Sequence, residues 1–285
     1  MRLFPHTTFT HPGTTGIIRA MTDKYIEILI ELESVIEKAG KLAIDMRSTA
    51  KSHNKYQTGE YMIDVVTEAD LAVQELILSE IAKTELVNCH LVAEEKTDSI
   101  SKFTGINGLT LTLDPIDGTF LYTSDGIFWS IIICLYDGET PLYTLIHYPV
   151  VGWSRRITQN EVTDIGELPR VKMLGDRDYS KVITRTYGDL SKLPEELTAE
   201  LKQKGYVFMD RADLTEESGS TTMLFLNQVG GFFIEKPGAY DGLSALSYAK
   251  TKGLTYYSDI DLSKILEGDH GPYYDGWYLV LNSPL

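Results

Sequence analysis

The residues in this chain whose types and spacing could do chemistry are acids placed directly after short apolar runs. Asp114 closes the run Leu109–Leu113, Pro115 stiffens the turn that follows, and Asp117 comes three residues later. Two carboxylates that close repel each other unless a cation lies between them. Hard divalent ions such as Mg²⁺ take oxygen ligands and commonly combine one or two carboxylates with substrate phosphate oxygens. Gly118 then permits close backbone approach, and the N–H groups of Gly118 and Thr119, at the start of the next element, suit a phosphate. An Asp-Pro turn with a helix-capping Asp would use the same residues without any ion.

Three further acidic elements stand in the chain. Glu94-Glu95 follows Leu91-Val92-Ala93, so a strand ending in paired carboxylates could feed the same cluster; most such pairs are solvated surface. Asp241 follows Gly238-Ala239-Tyr240 and precedes an Ala/Leu/Ser-rich helix, where an ordinary N-cap is the bland alternative. Asp64 and Asp70 flank Val65-Val66-Thr67, with helix capping the competing role for Asp70.

The order of these elements is more informative than any one of them. Thr67-Glu68-Ala69-Asp70, Ala93-Glu94-Glu95, Asp114-Pro115-Ile116-Asp117-Gly118-Thr119, Ser218-Gly219-Ser220 and Tyr240-Asp241 together resemble the inositol monophosphatase superfamily across residues 22–285. The central hexapeptide matches the family motif completely. Gly271-Pro272-Tyr273-Tyr274-Asp275 sits where the family usually has a Gly-Pro loop.

That resemblance implies a layered α-β-α-β-α sandwich, of the kind shared with fructose-1,6-bisphosphatase, and a phosphomonoesterase using two or three Mg²⁺ ions. Glu94, Asp114 and the Ile116 carbonyl would hold a first ion, and Asp114, Asp117 and Asp241 a second; a third, weaker ion would lean on Glu94. Thr119, oriented by Asp70, would polarise the water that attacks phosphorus in line, with no covalent phosphoenzyme. The second ion would stabilise the leaving alkoxide. Gly118 and Thr119 would cradle the phosphate, Gly219, Ser220 and Thr221 would face the alcohol portion, and Glu235 would bond its hydroxyls. Homodimers and lithium sensitivity are also implied.

Departures from the family pattern bear on the substrate: Phe120-Leu121 follow Thr119, Tyr240 replaces a usual Trp, and Ala93 a usual Gly. Inositol 1-phosphate leads, with histidinol phosphate, a sugar phosphate or a 3′-nucleotide as alternatives. The segment 120–129 offers no basic side chain for a second phosphate, and Phe120, Tyr122 and Tyr240 would form an aromatic rim. A catalytically silent phosphometabolite-binding or regulatory relative is the rival from another class; loss of an acid at 94, 114, 117 or 241, or of Thr119, would favour it, and none is lost.

The elements that must position these groups follow from periodicity. Apolar residues from Tyr25 to Met46 recur at helical steps, predicting one long helix after Thr22-Asp23, and a second helix capped by Thr67. The polar stretch 48–61 between them reads as a loop. Leu109–Leu113, Ile127–Leu135 and Leu142–Tyr148 then read as a strand meander beneath two helices. Beyond a soft boundary near 150 the pattern alternates: strands at 181–186, 206–209, 231–234, 254–257 and 277–281, helices at 194–204, 218–228 and 241–252. This predicts an N-terminal α+β half over 22–150 and an α/β half over 151–285 that completes the active site. Residues 1–20 lack an apolar signal core and are expected to be a tag or disordered extension.

Composition sets the outer limits. With 285 residues, 43% hydrophobic and 24% charged, the chain can bury a sizeable core. A net charge of −15 argues against nucleic acid or an anionic membrane as partner and leaves a small phosphorylated metabolite reached through cations. Two cysteines, Cys89 and Cys134, form no framework and fit a reducing cytoplasm.

Overall fold

The computed structural model describes residues 16–47, 52–54, 65–138, 140–185, 188–241, 243–262, 264–268 and 271–282, with 16–21, 52–54 and 65–67 described by backbone alone. Asp64 and most of the segment 48–61 lie outside the described residues.

The expected first helix is two: α1 (Gly16–Glu31) and α2 (Glu33–Met46), separated at Leu32, where Val35 N–H bonds the Leu32 carbonyl in a tighter turn. Because α1 begins at Gly16, Thr22 lies inside the helix and does not cap it. Within the stretch expected to be loop, β1 (Ser52–Asn54) pairs antiparallel with β2 (Val65–Thr67). Thr67 leads straight into α3 (Glu68–Ile81), the position foreseen for its cap.

Six strands form the first sheet: β3 (His90–Ala93), β4 (Leu109–Asp117), β5 (Ser130–Asp137), β6 (Thr140–Tyr148), β7 (Trp153–Thr158) and β8 (Val162–Ile165), in that spatial order, with the single-turn helix α4 (Thr119–Thr123) between β4 and β5. β3 runs parallel to β4 and the remaining neighbours are antiparallel. The boundary foreseen near 150 thus falls inside this sheet, between β6 and β7, and the second sheet starts only at residue 182.

That second sheet has the order β10-β9-β11-β15-β12, built from β9 (Val182–Arg185), β10 (Val207–Asp210), β11 (Gly231–Glu235), β12 (Thr255–Ser258) and β15 (Trp277–Leu281). A hairpin of β13 (Ile265–Gly268) and β14 (Gly271–Tyr274) precedes β15. Its helices are α5 (Glu195–Gln203), α6 (Ser220–Phe225) and α7 (Ser244–Lys252). Both α6 and α7 are shorter than their apolar patterns suggest.

Alternation along the strands decides the layering, since successive side chains point to opposite faces. Leu111, Leu113, Ile131, Ile133, Leu135 and Leu145 pack with Leu29, Ile36, Ala43, Val73 and Ile77 of α1–α3. The opposite face of the same sheet, Ile132, Cys134, Ile146 and Tyr148, packs on Met223 and Phe225 of α6, Leu246 and Ala249 of α7, and Phe232, Tyr278 and Val280 of the second sheet. Ile183, Phe233, Leu279 and Leu281 then face outward onto Leu197 and Leu201 of α5. The result is five layers, α-β-α-β-α, in which each fully buried aliphatic side chain contributes about 1.5–3 kcal/mol by leaving water. Among the described residues, no helix is long and apolar enough to cross a membrane.

Candidate active site

Parallel pairing of β3 with β4 places two distant acids side by side. Ala93 lies opposite Leu113, and Glu94 N–H donates to the Leu113 carbonyl (3.2 Å), so Glu94 leaves the sheet edge beside Asp114. The strand does not stop at Asp114 as expected: β4 continues to Asp117, and the pairing with β5 shifts register between the two aspartates. This irregularity leaves room for Asp114 Oδ1 to accept from Ile116 N–H (3.0 Å) and brings both aspartates to one end of the sheet. Ser130, at the head of β5, donates to Asp117 Oδ2 (2.9 Å).

Asp241 arrives from the other half of the chain. Thr112 of β4 donates its hydroxyl to the Tyr240 carbonyl (3.2 Å), fixing the turn to the same strand that carries Asp114. Ala239 N–H bonds the Pro272 carbonyl and Tyr274 N–H bonds the Pro237 carbonyl, so the Gly271-Pro272 loop supports the turn from behind. At Gly238 a Cβ would fall directly on Asp241 Oδ1, so glycine leaves room for the carboxylate to fold back over its own turn.

Oxygens of Asp114, Asp117 and Asp241 all lie within 4.8 Å of one another. Asp114 is 4% exposed. Burial, then the charges of Glu94, Asp117, Asp241 and Asp70, hold its carboxyl well above the ordinary value. Asp117 is also raised by burial, partly offset by Ser130. Carboxylates gathered this closely fit a divalent cation: the donor set is all oxygen, and a positive ion among them removes the repulsion.

Asp70 sits in the first turn of α3, 2% exposed, close enough for its charge to act on both Asp114 and Tyr122. Gly118 adopts φ 85°, ψ 47°, which frees the chain to turn from β4 into α4. Thr119 Oγ1 donates to the Ile116 carbonyl (3.3 Å). Ser220, foreseen facing the substrate, is buried and its hydroxyl meets Thr184 Oγ1 (3.1 Å), while Thr221 is half-buried and Gly219 precedes the helix. One oxygen of Glu235 accepts from Asp189 N–H (2.8 Å).

One rim residue is corrected. Tyr122 is 1% exposed, donates to the Ala43 carbonyl (2.7 Å), stacks edge-on with Trp129, and carries Arg47 over its ring. Burial, with Asp70 nearby, pushes its pKa up to about 12. Its ring belongs to the core because α4 is a single turn that presses it against α2. Phe120 and Tyr240 remain half-exposed. The sequence reading also passed over Gln74, Ser130 and Thr112, three polar side chains within otherwise apolar faces, and that contrast was the available signal.

Carboxylates converging at the strand ends of layered mixed sheets form a candidate divalent-metal centre. A sequence model of the inositol monophosphatase family matches residues 24–181, more than half of the chain, and the protein belongs to that family. Its members are metal-dependent phosphatases, and this chain is a phosphoric monoester hydrolase. No curated protein matches by sequence. Among solved structures, the IMPase of Thermotoga maritima is 19% identical (TM-score 0.60; 90% of this chain, 92% of that one). The extragenic suppressor protein SuhB of Bartonella henselae is 15% identical (TM-score 0.61; 90% and 94%). An IMPase/NADP phosphatase solved with Mg²⁺ and phosphate is 15% identical (TM-score 0.59; 93% of each). At these identities the likeness establishes the fold.

Proposed function

We propose that the chain hydrolyses a small phosphomonoester, inositol 1-phosphate first among candidates, with Mg²⁺ held by Asp114, Asp117, Asp241, Glu94 and the Ile116 carbonyl. The observation that carries this reading is the meeting of three carboxylates from the two halves of the chain within 4.8 Å, with Glu94 and Asp70 in the same field. Two or three Mg²⁺ ions, when bound, supply the positive charge that activates water and steadies the leaving alkoxide.

The chain's own groups do the rest. N–H groups of Gly118 and Thr119 hold the phosphate where the turn out of β4 presents them. Thr119 Oγ1, with Asp70 behind it, takes a hydrogen bond from the attacking water and aligns it for in-line displacement. Gly219, Ser220, Thr221 and Glu235 border the alcohol side, and Phe120 and Tyr240 give that side apolar walls. We further take the protein to be a lithium-sensitive homodimer of the cytoplasm.

A phosphate-release screen tests the reading, with and without Mg²⁺, across inositol 1-phosphate, histidinol phosphate, fructose 1,6-bisphosphate, 3′-phosphoadenosine 5′-phosphate and NADP. The last is included because one similar structure is an IMPase/NADP phosphatase. Inositol 1-phosphate is expected to turn over fastest and only with Mg²⁺. Release that survives exhaustive chelation would refute the metal assignment. Binding of the panel without release from any member would point to the silent relative.

A further inference from the structure

Gln74 lies on α3 one turn after Asp70, so the two share a helix face. It is fully buried at 0% exposure, on a face otherwise made of Ala69, Val73, Ile77 and Leu78. A buried amide is costly unless its donors and acceptor are all used. Here they are. Nε2 donates to the Glu95 carbonyl (2.5 Å) and to Thr97 Oγ1 (3.1 Å), while Oε1 accepts from Glu95 N–H (2.9 Å).

These bonds take over where the sheet stops. Glu94 N–H makes the last bond from β3 toward β4, to the Leu113 carbonyl, and the next residue is then gripped at both its N–H and its C=O by one side chain. Glu94 is therefore fixed on both sides, by Leu113 before its Cα and by Gln74 after Glu95. The neighbouring Glu75 makes a separate grip further along, accepting from Ser99 N–H (3.0 Å) and Ser99 Oγ (2.6 Å).

We propose that Gln74 is a positioning residue for the metal centre: it aims the Glu94 carboxylate at the divalent ion by pairing with the backbone of Glu95, as an extra rung of the sheet. The proposal rests on Glu94 being a ligand. Groups that orient ligands from behind commonly change metal affinity by about 10–100-fold when removed.

The test is calorimetric titration of Mg²⁺ into the metal-free full chain, paired with thermal unfolding. Gln74→Leu is expected to weaken Mg²⁺ binding by about 10–100-fold at temperatures where its circular dichroism remains native. Gln74→Glu keeps the acceptor for Glu95 N–H and loses the donor, and is expected to fall between wild type and Gln74→Leu; it carries the test if Gln74→Leu does not fold. Glu75→Ala, which loosens the same loop away from Glu94, is expected to lower the melting temperature while leaving Mg²⁺ affinity as in wild type. Unchanged affinity in folded Gln74→Leu or Gln74→Glu, or an equal loss in Glu75→Ala, overturns the proposal. Glu94→Gln separates the two failures: if it too binds Mg²⁺ like wild type, the assignment of Glu94 as ligand is what fails.

Discussion

The first sheet meets acids at two places and treats them in different ways. On β7 and β8, Arg155 grips Asp164 through Nε and a second nitrogen (both 2.9 Å), lies over the rings of Trp153 and Tyr248, and also donates to the Phe225 carbonyl (2.5 Å). Beside it, Arg156 meets Glu33 (3.0 Å), whose same oxygen accepts from the Tyr143 hydroxyl (2.9 Å). At the end of β4, by contrast, Asp114 is surrounded by four other carboxylates. Where the chain supplies its own counter-charge, the acid is a structural strut. Where carboxylates crowd one another, their repulsion is of the kind a bound cation relieves.

Substitutions at the two places should therefore separate activity from stability. The largest effect is expected for Asp117→Asn or Glu94→Gln: turnover falls by about a thousandfold while the unfolding midpoint holds or rises. Hydrolysis close to wild type in both would erase the contrast. Arg155→Met is expected to do the reverse, lowering stability by about 2–3 kcal/mol, below the fully buried range because Asp164 is partly exposed. Urea unfolding measures this, and turnover per folded molecule should stay near wild type.

A third effect depends on pH. Asp114 and Asp117 are held above their ordinary value of 3.8. A carboxyl raised in this way favours the fold while protonated and loses that contribution as pH climbs through its folded pKa. His147 acts the other way: burial, with Lys41 adding, lowers it to about 4, so its contribution is present above 6.5 and lost as pH falls toward 4. His147 is common to both states, so the melting temperature in Mg²⁺ minus that in chelator isolates the carboxylates. That difference should widen as pH rises above the ordinary carboxylate value; a constant difference would mean the cluster is not what the ion relieves. The smallest effect is expected for Thr112→Val, which removes one bond to Tyr240: about 1 kcal/mol of stability, with a modest loss of Mg²⁺ affinity by titration.

Much of this was legible before any coordinates. The helical period of α1–α3 and the apolar runs of β4–β6 announced the first two layers, because tertiary burial there agrees with local pattern. The acids at 94, 114, 117 and 241 were readable from motif and order. The β7–β8 hairpin was not read, since Arg155 and Arg156 interrupt the apolar alternation, and their burial depends on Asp164 and on Glu33, which is more than a hundred residues away. Tyr122 was misplaced at the rim for a related reason: one aromatic residue in a five-residue helix carries no periodic signal. Gln74 was invisible because a glutamine on a helix ordinarily faces water.

The backbone at Gly238 has a consequence for how this enzyme can change over time. The half-buried Tyr240 and Phe120, if they wall the substrate side as proposed, can be exchanged for other side chains by single steps. Position 238 is tighter, because a β-carbon there meets Asp241 Oδ1 unless that carboxylate turns aside. A saturation library at 238, selected for phosphate release, should be dominated by glycine, whereas the same library at 240 should return many residues with altered preference. Evolution at these positions would then be channelled: the proposed pocket wall is more negotiable than the turn that carries Asp241.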